Sequence, residues 1–177
     1  RVEVGGIQQD NNIRGQNKEN PVILFLHGGP GSPMTTFLHG FQCDWENDYT
    51  IVQWDQRGAG KSYIHNDKQG LLKTMSFDRM LADAKEVSDY VRQKLGKDKI
   101  IVLGHSWGTV LGSALVQKYP DDFCAYIGVV QAVNMVENER AGYESAFAAA
   151  RDAGNPNDVA ELEQPPGYPG KGYRRET

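Results

Sequence analysis

The sequence predicts an α/β fold in which a mostly parallel sheet is covered by helices on both faces. Four short apolar runs, rich in β-branched residues, lie at 21–26, 49–54, 100–103 and 124–130. A stretch with helical periodicity spans 76–95, between the second and third runs. Runs that are apolar throughout are typical of strands buried on both faces, and their alternation with helices indicates parallel pairing.

The composition is that of an ordinary globular chain of 177 residues, 39% hydrophobic and 24% charged. A net charge of −4 argues against nucleic acid or an anionic membrane as the main partner. No apolar run approaches the roughly 20 residues that a membrane helix needs. The two cysteines, Cys43 and Cys124, are too few for a disulfide framework or a zinc site, so we expect a reducing cytoplasm. A chain that starts at Arg1 without methionine suggests a trimmed or partial protein.

The segments around the strands have recognisable start and stop signals. Residues 2–14 alternate around two glycines, which predicts an antiparallel entry hairpin. Residues 34–46 are expected to form a short irregular helix. In the helix predicted over 76–95, Ser76 suits the N-cap and Gly96 the position just after the last turn.

The character of the chain changes after about residue 133. The stretch 135–153 is helical in pattern but charged and alanine-rich, and 161–173 is crowded with proline and glycine, as in a linker or lid. We therefore expect two parts: residues 1–133 as the core and 134–177 as the beginning of a helical cap.

The third apolar run leads directly into Gly-His-Ser-Trp-Gly at 104–108 and then into a helical pattern. A strand, Gly-x-Ser-x-Gly and a helix in this order predict a nucleophile elbow. The turn is so tight that a side chain at Gly104 or Gly108 would collide with the neighbouring strand and helix. Ser106 is therefore expected in a strained conformation, with its hydroxyl exposed at the carboxyl end of the sheet and near the N-terminus of the next helix.

Two further glycine-rich segments follow predicted strands. His-Gly-Gly-Pro-Gly at 27–31 can form neither helix nor strand, so it predicts a sharp loop whose N–H groups approach a ligand. The run 55–62 ends in Gly-Lys-Ser, but Asp55 stands where the phosphate-binding motif has its first glycine. This mismatch argues against a nucleotide site, and we expect no cofactor and no metal.

Together, the three motifs at 27–31, 55–62 and 104–109 resemble the prolyl iminopeptidase-like branch of the α/β-hydrolase fold, over about residues 20–133. The resemblance implies a serine hydrolase that cleaves an N-terminal residue from short peptides, or a small amide or ester. It also implies that Ser106 is the nucleophile and that the backbone N–H groups of Gly29 and Trp107 form the oxyanion hole. The same two donors are those that the chemistry needs.

The resemblance bears on other motif residues as well. Relatives that hydrolyse epoxides or haloalkanes place aspartate at the centre of the elbow, so Ser106 counts against that chemistry. Asp55 and Arg57 look structural, bracing their loops by hydrogen bonds and charge pairing. The residues after the last matched strand would begin the helical cap over the site.

The sequence departs from the family in one respect, because the expected order of the triad is serine, acid, histidine. Every histidine precedes Ser106; they are His27, His39, His65 and His105. His105 is expected to pack beside the elbow, and His27 to stabilise its own loop. No acid can be assigned: Asp121 and Asp122 are expected to be solvated turn residues at the opposite edge of the sheet, and Glu137 and Glu139 to lie on a solvated helix face.

Two hypotheses therefore remain. In the first, the chain is the N-terminal part of such a hydrolase, cut before the last strands and inactive alone. Strand 124–130 would then have an unpaired apolar edge through which the chain self-associates. In the second, it is a non-catalytic binding or assembly domain that keeps the elbow for reasons of folding. An exposed, strained serine favours the first hypothesis, because a binding module does not need one.

Overall fold

The computed structural model describes residues 1–164 and Tyr168. The chain divides into two compact units, 1–132 and 133–177, and each is described separately. The predicted linker or lid over 161–173 lies largely outside the described residues. That the two units are a catalytic core and a cap stays a prediction.

The first unit contains a six-stranded sheet in the order β1-β2-β4-β3-β5-β6. The strands are β1 (Val2–Val4), β2 (Ile7–Arg14), β3 (Val22–Leu26), β4 (Thr50–Asp55), β5 (Ile100–His105) and β6 (Phe123–Val129). The first two form the predicted hairpin and β2 joins β4 antiparallel, whereas all pairs among β4, β3, β5 and β6 are parallel. The prediction of a mostly parallel sheet is confirmed.

The described helices are α1 (Gly60–Ile64), α2 (Lys68–Lys73), α3 (Phe77–Leu95), α4 (Trp107–Lys118), α5 (Met135–Asp152) and α6 (Pro156–Leu162). The sequence did not indicate α1, α2 or α6. The irregular helix expected over 34–46 is a series of separate 3-10 turns, at Met34–Thr36, Leu38–Gly40 and Trp45–Asn47. Within the described part of the chain, no helix is both long and apolar enough to cross a membrane.

Helix α3 follows its sequence signals closely. The Ser76 hydroxyl accepts a hydrogen bond from the Arg79 amide at 3.2 Å, and Gly96 ends the helix with φ of 62°. Its apolar side, including Val87 and Val91, packs with α4 in the main core on one face of the sheet. On the other face, Phe25 and Ile51 pack against side chains of the 3-10 segment, such as Phe41.

Strand β6 is exposed, although its apolar run predicted a buried strand. Ile127 is 42% exposed and Val129 is 41% exposed. The reason is its place in the sheet: β6 pairs with β5 on one side, and no strand among the described residues pairs with its other side. The expectation of an unpaired apolar edge holds for the part of the chain that the structure describes.

A buried ion pair joins the loop after β4 to α3. The Arg57 guanidinium and the Asp83 carboxylate are both fully buried and make two hydrogen bonds, of 2.6 and 3.1 Å. Asp83 also accepts from Gln9 at 3.0 Å, and Arg57 donates to the Gly5 carbonyl at 2.9 Å. The predicted bracing role of Arg57 is confirmed, because this network fixes the loop to the entry hairpin and to α3.

We predict that Asp83→Asn lowers the free energy of unfolding by about 3–5 kcal/mol, because it leaves a buried guanidinium without its counter-charge. Asp89→Asn is the matched control on the same helix, since Asp89 is 49% exposed and pairs only at the surface. The control should cost less than about 1 kcal/mol. Urea unfolding of both variants measures the difference, and equal losses would contradict a special role for the buried pair.

Candidate active site

Ser106 is the single residue between the end of β5 at His105 and the start of α4 at Trp107. Its backbone has φ of 52° and ψ of −118°, a region that side-chain-bearing residues rarely adopt. Such a conformation costs of order 1–3 kcal/mol and persists only where the surroundings enforce it. The predicted strain at the elbow is present.

The two flanking glycines show what enforces the strained backbone conformation of Ser106. A Cβ at Gly108 would lie 2.0 Å from the Leu26 carbonyl oxygen of β3, and one at Gly104 would lie 2.4 Å from the Gly108 carbonyl oxygen. Both contacts are with backbone atoms, which cannot rotate away as a side chain could. The strand and helix can approach this closely only because neither position carries a side chain.

The loop 27–31 reaches the same place from the neighbouring strand. Strands β3 and β5 are parallel with Leu26 opposite Gly104, so both motifs leave the sheet at its carboxyl edge. A Cβ at Gly28 would lie 3.0 Å from Ser106 Cβ, which shows how closely the loop packs on the elbow. Ligands bind at this edge in open α/β sheets.

His27 holds this loop and is not available as a base. Its Nδ1 donates to the Gly28 carbonyl at 2.9 Å, and its Nε2 accepts from the Gln56 amide at 3.2 Å. The Gln56 side chain donates in turn to the His27 carbonyl at 3.1 Å. Burial lowers the pKa of His27, because the charged ring loses its hydration. Both nitrogens of the neutral ring are therefore occupied, and the bond from Nδ1 to Gly28 fits the predicted role of His27 in its own loop.

The other histidines are no better placed. His65 pairs with Asp10 at 2.8 Å, and His39 is exposed on a 3-10 turn. His105 packs beside Gly28 with a buried Nδ1. Among the described residues, none of the four histidines forms a hydrogen bond with Ser106, so none of them is positioned as a base for its hydroxyl.

Asp55 is structural, as the sequence indicated. One carboxylate oxygen accepts from the Lys61 amide at 2.8 Å, and the other from the Thr35 hydroxyl at 3.2 Å. Its backbone carbonyl accepts from the Ser62 hydroxyl at 2.5 Å. Asp55 therefore holds the segment 55–62 in its conformation by hydrogen bonds.

Two of the acidic residues that the sequence left without a catalytic role, Asp122 and Glu137, are paired with basic side chains. Asp122 lies just before β6, at the end of the strand away from the elbow, and pairs with Arg92 at 2.5 Å and Lys85 at 3.1 Å. The expectation of a solvated Asp122 is wrong, because two basic side chains of α3 face it. Glu137 is 55% exposed and pairs with Arg140, which fits the expected solvated helix face.

Comparison with known proteins decides the family. A family model described as the alpha/beta hydrolase fold matches residues 21–162. The chain belongs to the α/β-hydrolase fold family. It is 35% identical over 143 residues to a probable aminopeptidase of Bacillus subtilis (strain 168), covering 81% of this chain and 44% of that protein. It is 33% identical over 106 residues to a proline iminopeptidase of Neisseria gonorrhoeae, covering 59% of this chain and 31% of that protein.

Solved structures agree on the fold. A proline iminopeptidase-related protein from Thermus thermophilus superposes with a TM-score of 0.65 at 23% identity, covering 92% of this chain and 54% of the other. An epoxide hydrolase from Vigna radiata gives 0.58 at 25% identity, covering 85% and 45%. The predicted resemblance to prolyl iminopeptidase-like hydrolases is confirmed. The chain spans about half or less of the length of these relatives.

In this α/β-hydrolase chain, one structural feature near the elbow has no recognisable sequence pattern. The turn after β6, residues 129–132, contains Val130 with φ of 55°. The Val129 carbonyl accepts from the Ser106 amide at 2.9 Å. Sequence gives no signal for this turn, because valine is among the residues least suited to positive φ.

We predict that Gly108→Ala destabilises the protein by about 3 kcal/mol, because the added methyl group meets the β3 backbone. Gly142→Ala is the control, since a Cβ there has no neighbour within 4 Å and the position lies in helix α5. The control should be neutral or stabilising by up to about 1 kcal/mol. Thermal unfolding followed by circular dichroism compares the two, and a tolerated Gly108→Ala would refute the packing argument.

The lowered pKa of His27 predicts that stability falls in mild acid. The unfolded chain takes up a proton below about pH 6.5, whereas the folded ring resists protonation. The contribution of the neutral His27 ring to the free energy of unfolding is therefore complete above that pH. It decreases as the pH falls below that value, until the ring is protonated in the folded chain too. Urea unfolding between pH 8 and pH 5 measures this loss, which His27→Gln should reduce. An identical pH slope in wild type and variant would exclude His27 as the cause.

Proposed function

We propose that Ser106 is the nucleophile of a serine hydrolase of the prolyl iminopeptidase type, acting on the N-terminal residue of short peptides or on a small amide or ester. The observation that carries the proposal is the strained backbone of Ser106 at the carboxyl edge of the sheet, with the loop 27–31 packed against it. A serine hydroxyl in this position is available to a substrate and is not packed into the core.

The reaction would run through an acyl-enzyme. Ser106 Oγ forms a bond to the scissile carbonyl carbon while a base takes its proton, and the carbonyl oxygen becomes an oxyanion. The backbone N–H groups of Gly29 and Trp107 are the proposed donors to that oxyanion. The C–N or C–O bond then breaks as the leaving group takes the proton, and water hydrolyses the acyl-serine by the same steps.

The base and the acid are proposed to come from outside residues 1–177. The triad order in this fold is serine, acid, histidine, and no histidine follows Ser106 in the sequence. The matched relatives are about two to three times as long as the region they share with this chain. Residues 134–177 are proposed to be the beginning of a helical cap.

We place the protein in the cytoplasm. Both cysteines, Cys43 and Cys124, are free and exposed. Exposed free thiols suit a reducing compartment, where glutathione and thioredoxin keep them from oxidising.

The 177-residue chain alone is predicted to show negligible hydrolysis of a prolyl arylamide, because a serine hydroxyl at neutral pH needs a positioned base. Ser106→Ala should therefore give the same background rate. Turnover by the chain that disappears in Ser106→Ala would contradict the assignment of the base to another segment.

The nucleophile itself is tested in the full reading frame of the gene. We expect an aspartate after a later strand and a histidine in a later loop, and a product that hydrolyses prolyl arylamides. Ser106→Ala should lower kcat of that product by at least about a thousandfold. A full-length protein without such residues, or one that Ser106→Ala leaves unchanged, would favour the non-catalytic binding domain.

Residues 1–177 are also predicted to self-associate through the open edge of β6, which exposes Ile127 and Val129. Ile127→Lys should restore the monomer by placing a charge on the edge. Ile64→Lys is the control, because Ile64 is 71% exposed and lies on α1 away from the edge. Sedimentation over a range of concentrations measures the oligomeric state. A wild-type chain that stays monomeric throughout would contradict the prediction.

A further inference from the structure

The two non-glycine residues with positive φ in the described part of the chain belong to one hydrogen-bonded cluster. They are Ser106 in the elbow and Val130 in the turn 129–132. Thr109, fully buried on the first turn of α4, lies between them. Strained residues persist only where their neighbours fix them, so the contacts of Thr109 bear on both.

The Thr109 hydroxyl has a defined direction. It accepts from the Ala132 amide at 3.0 Å and lies 2.6 Å from the Ser106 carbonyl oxygen. An amide can only donate and a carbonyl can only accept, so the hydroxyl proton points to Ser106. The result is a chain of hydrogen bonds from Ala132 N–H through Thr109 O–H to Ser106 C=O.

This chain fixes one peptide plane of the elbow. The Ser106 carbonyl accepts from the Thr109 amide at 2.8 Å as well as from the hydroxyl. The carbonyl of Ser106 and the N–H of Trp107 belong to the same planar peptide group, in which they point in opposite directions. Holding the carbonyl by two donors therefore aims the Trp107 N–H.

The turn that supplies the Ala132 amide is itself held in place. The Tyr126 hydroxyl lies 2.6 Å from Gln131 Oε1 and 3.2 Å from the Thr109 carbonyl. The Gln131 side-chain amide donates to the Ala132 carbonyl at 2.8 Å. The turn 129–132 is thus tied both to the helix that begins at the elbow and to its own strand.

We propose that Thr109 is a positioning residue for the oxyanion hole: its hydroxyl, oriented by the Ala132 amide, sets the direction of the Trp107 N–H. The catalytic meaning rests on the proposed function, in which Trp107 N–H is an oxyanion donor. A displacement of the turn 129–132 is therefore transmitted to the elbow in two ways: through the Thr109 hydroxyl and through the Val129 carbonyl, which accepts from the Ser106 amide.

The test compares Thr109→Val with Thr109→Ser by NMR of the 177-residue chain. Valine keeps the shape and removes the hydroxyl, whereas serine keeps the hydroxyl. Thr109→Val should speed hydrogen exchange at the Ala132 amide roughly tenfold, the effect of one lost hydrogen bond. It should also shift the Ser106 carbonyl-carbon resonance upfield and move the Trp107 amide nitrogen resonance. Thr109→Ser should leave all three near their wild-type values.

Thr50→Val is the matched control, because Thr50 is a buried threonine at the opposite end of the sheet whose hydroxyl contacts the Asn17 carbonyl. It should leave the elbow signals unchanged. If Thr109→Val does not fold, Thr109→Ala removes the same hydroxyl without a branched side chain. Wild-type signals at Ser106, Trp107 and Ala132 in the hydroxyl-free variant, or their full loss in Thr109→Ser, would overturn the proposal.

These signals do not depend on hydrolysis, so the two proposals fail separately. If the full-length protein is inactive, Thr109 has no catalytic role, but the chain of hydrogen bonds through its hydroxyl is not contradicted. If the full-length protein is active, Thr109→Val should lower its kcat more than it raises KM, and Thr109→Ser should restore kcat.

Discussion

Among the described glycines, Gly108 leaves the least room for a side chain, because a Cβ there would lie 2.0 Å from the Leu26 carbonyl oxygen of β3. Because Gly108 has no side chain, α4 can start one residue after the end of β5. Ser106, which lies between them, then cannot adopt an ordinary backbone conformation. A strained residue at a strand-to-helix turn is unfavourable by itself. The surrounding sheet sustains it because β3, β5 and α4 are packed into one core that would have to separate to relax it.

Around this point, polar groups inside the fold serve to place loops. The His27 ring links the loop 27–31 to the Gln56 amide, one nitrogen bonding to each. Asp55 holds the segment that follows β4, and the buried Arg57–Asp83 pair ties that segment to α3. Buried charges and rings of this kind seldom add net stability over apolar packing, but removing one partner is costly. Their effect is to give each loop a single arrangement near Ser106.

Much of this could be predicted from the sequence, since local signals and global fold agree. The apolar runs marked four parallel strands, Ser76 and Gly96 marked the ends of α3, and the elbow motif placed Ser106 with its strain. Other features depend on contacts between distant residues. The exposure of β6 follows from its place at the sheet edge. The pairing of Asp122 follows from how α3 lies beside it, and the positive φ of Val130 opposes the preference of valine.

The packing and the hydrogen bonds around the elbow are sufficient to hold Ser106 in its strained conformation. The most direct measurement is the one-bond Hα–Cα coupling of Ser106 in the free 177-residue chain in solution, because this coupling separates positive from negative φ. We predict the value typical of positive φ for Ser106 and the ordinary helical value for its neighbour Trp107. A Ser106 coupling typical of a helix or an extended strand would contradict it.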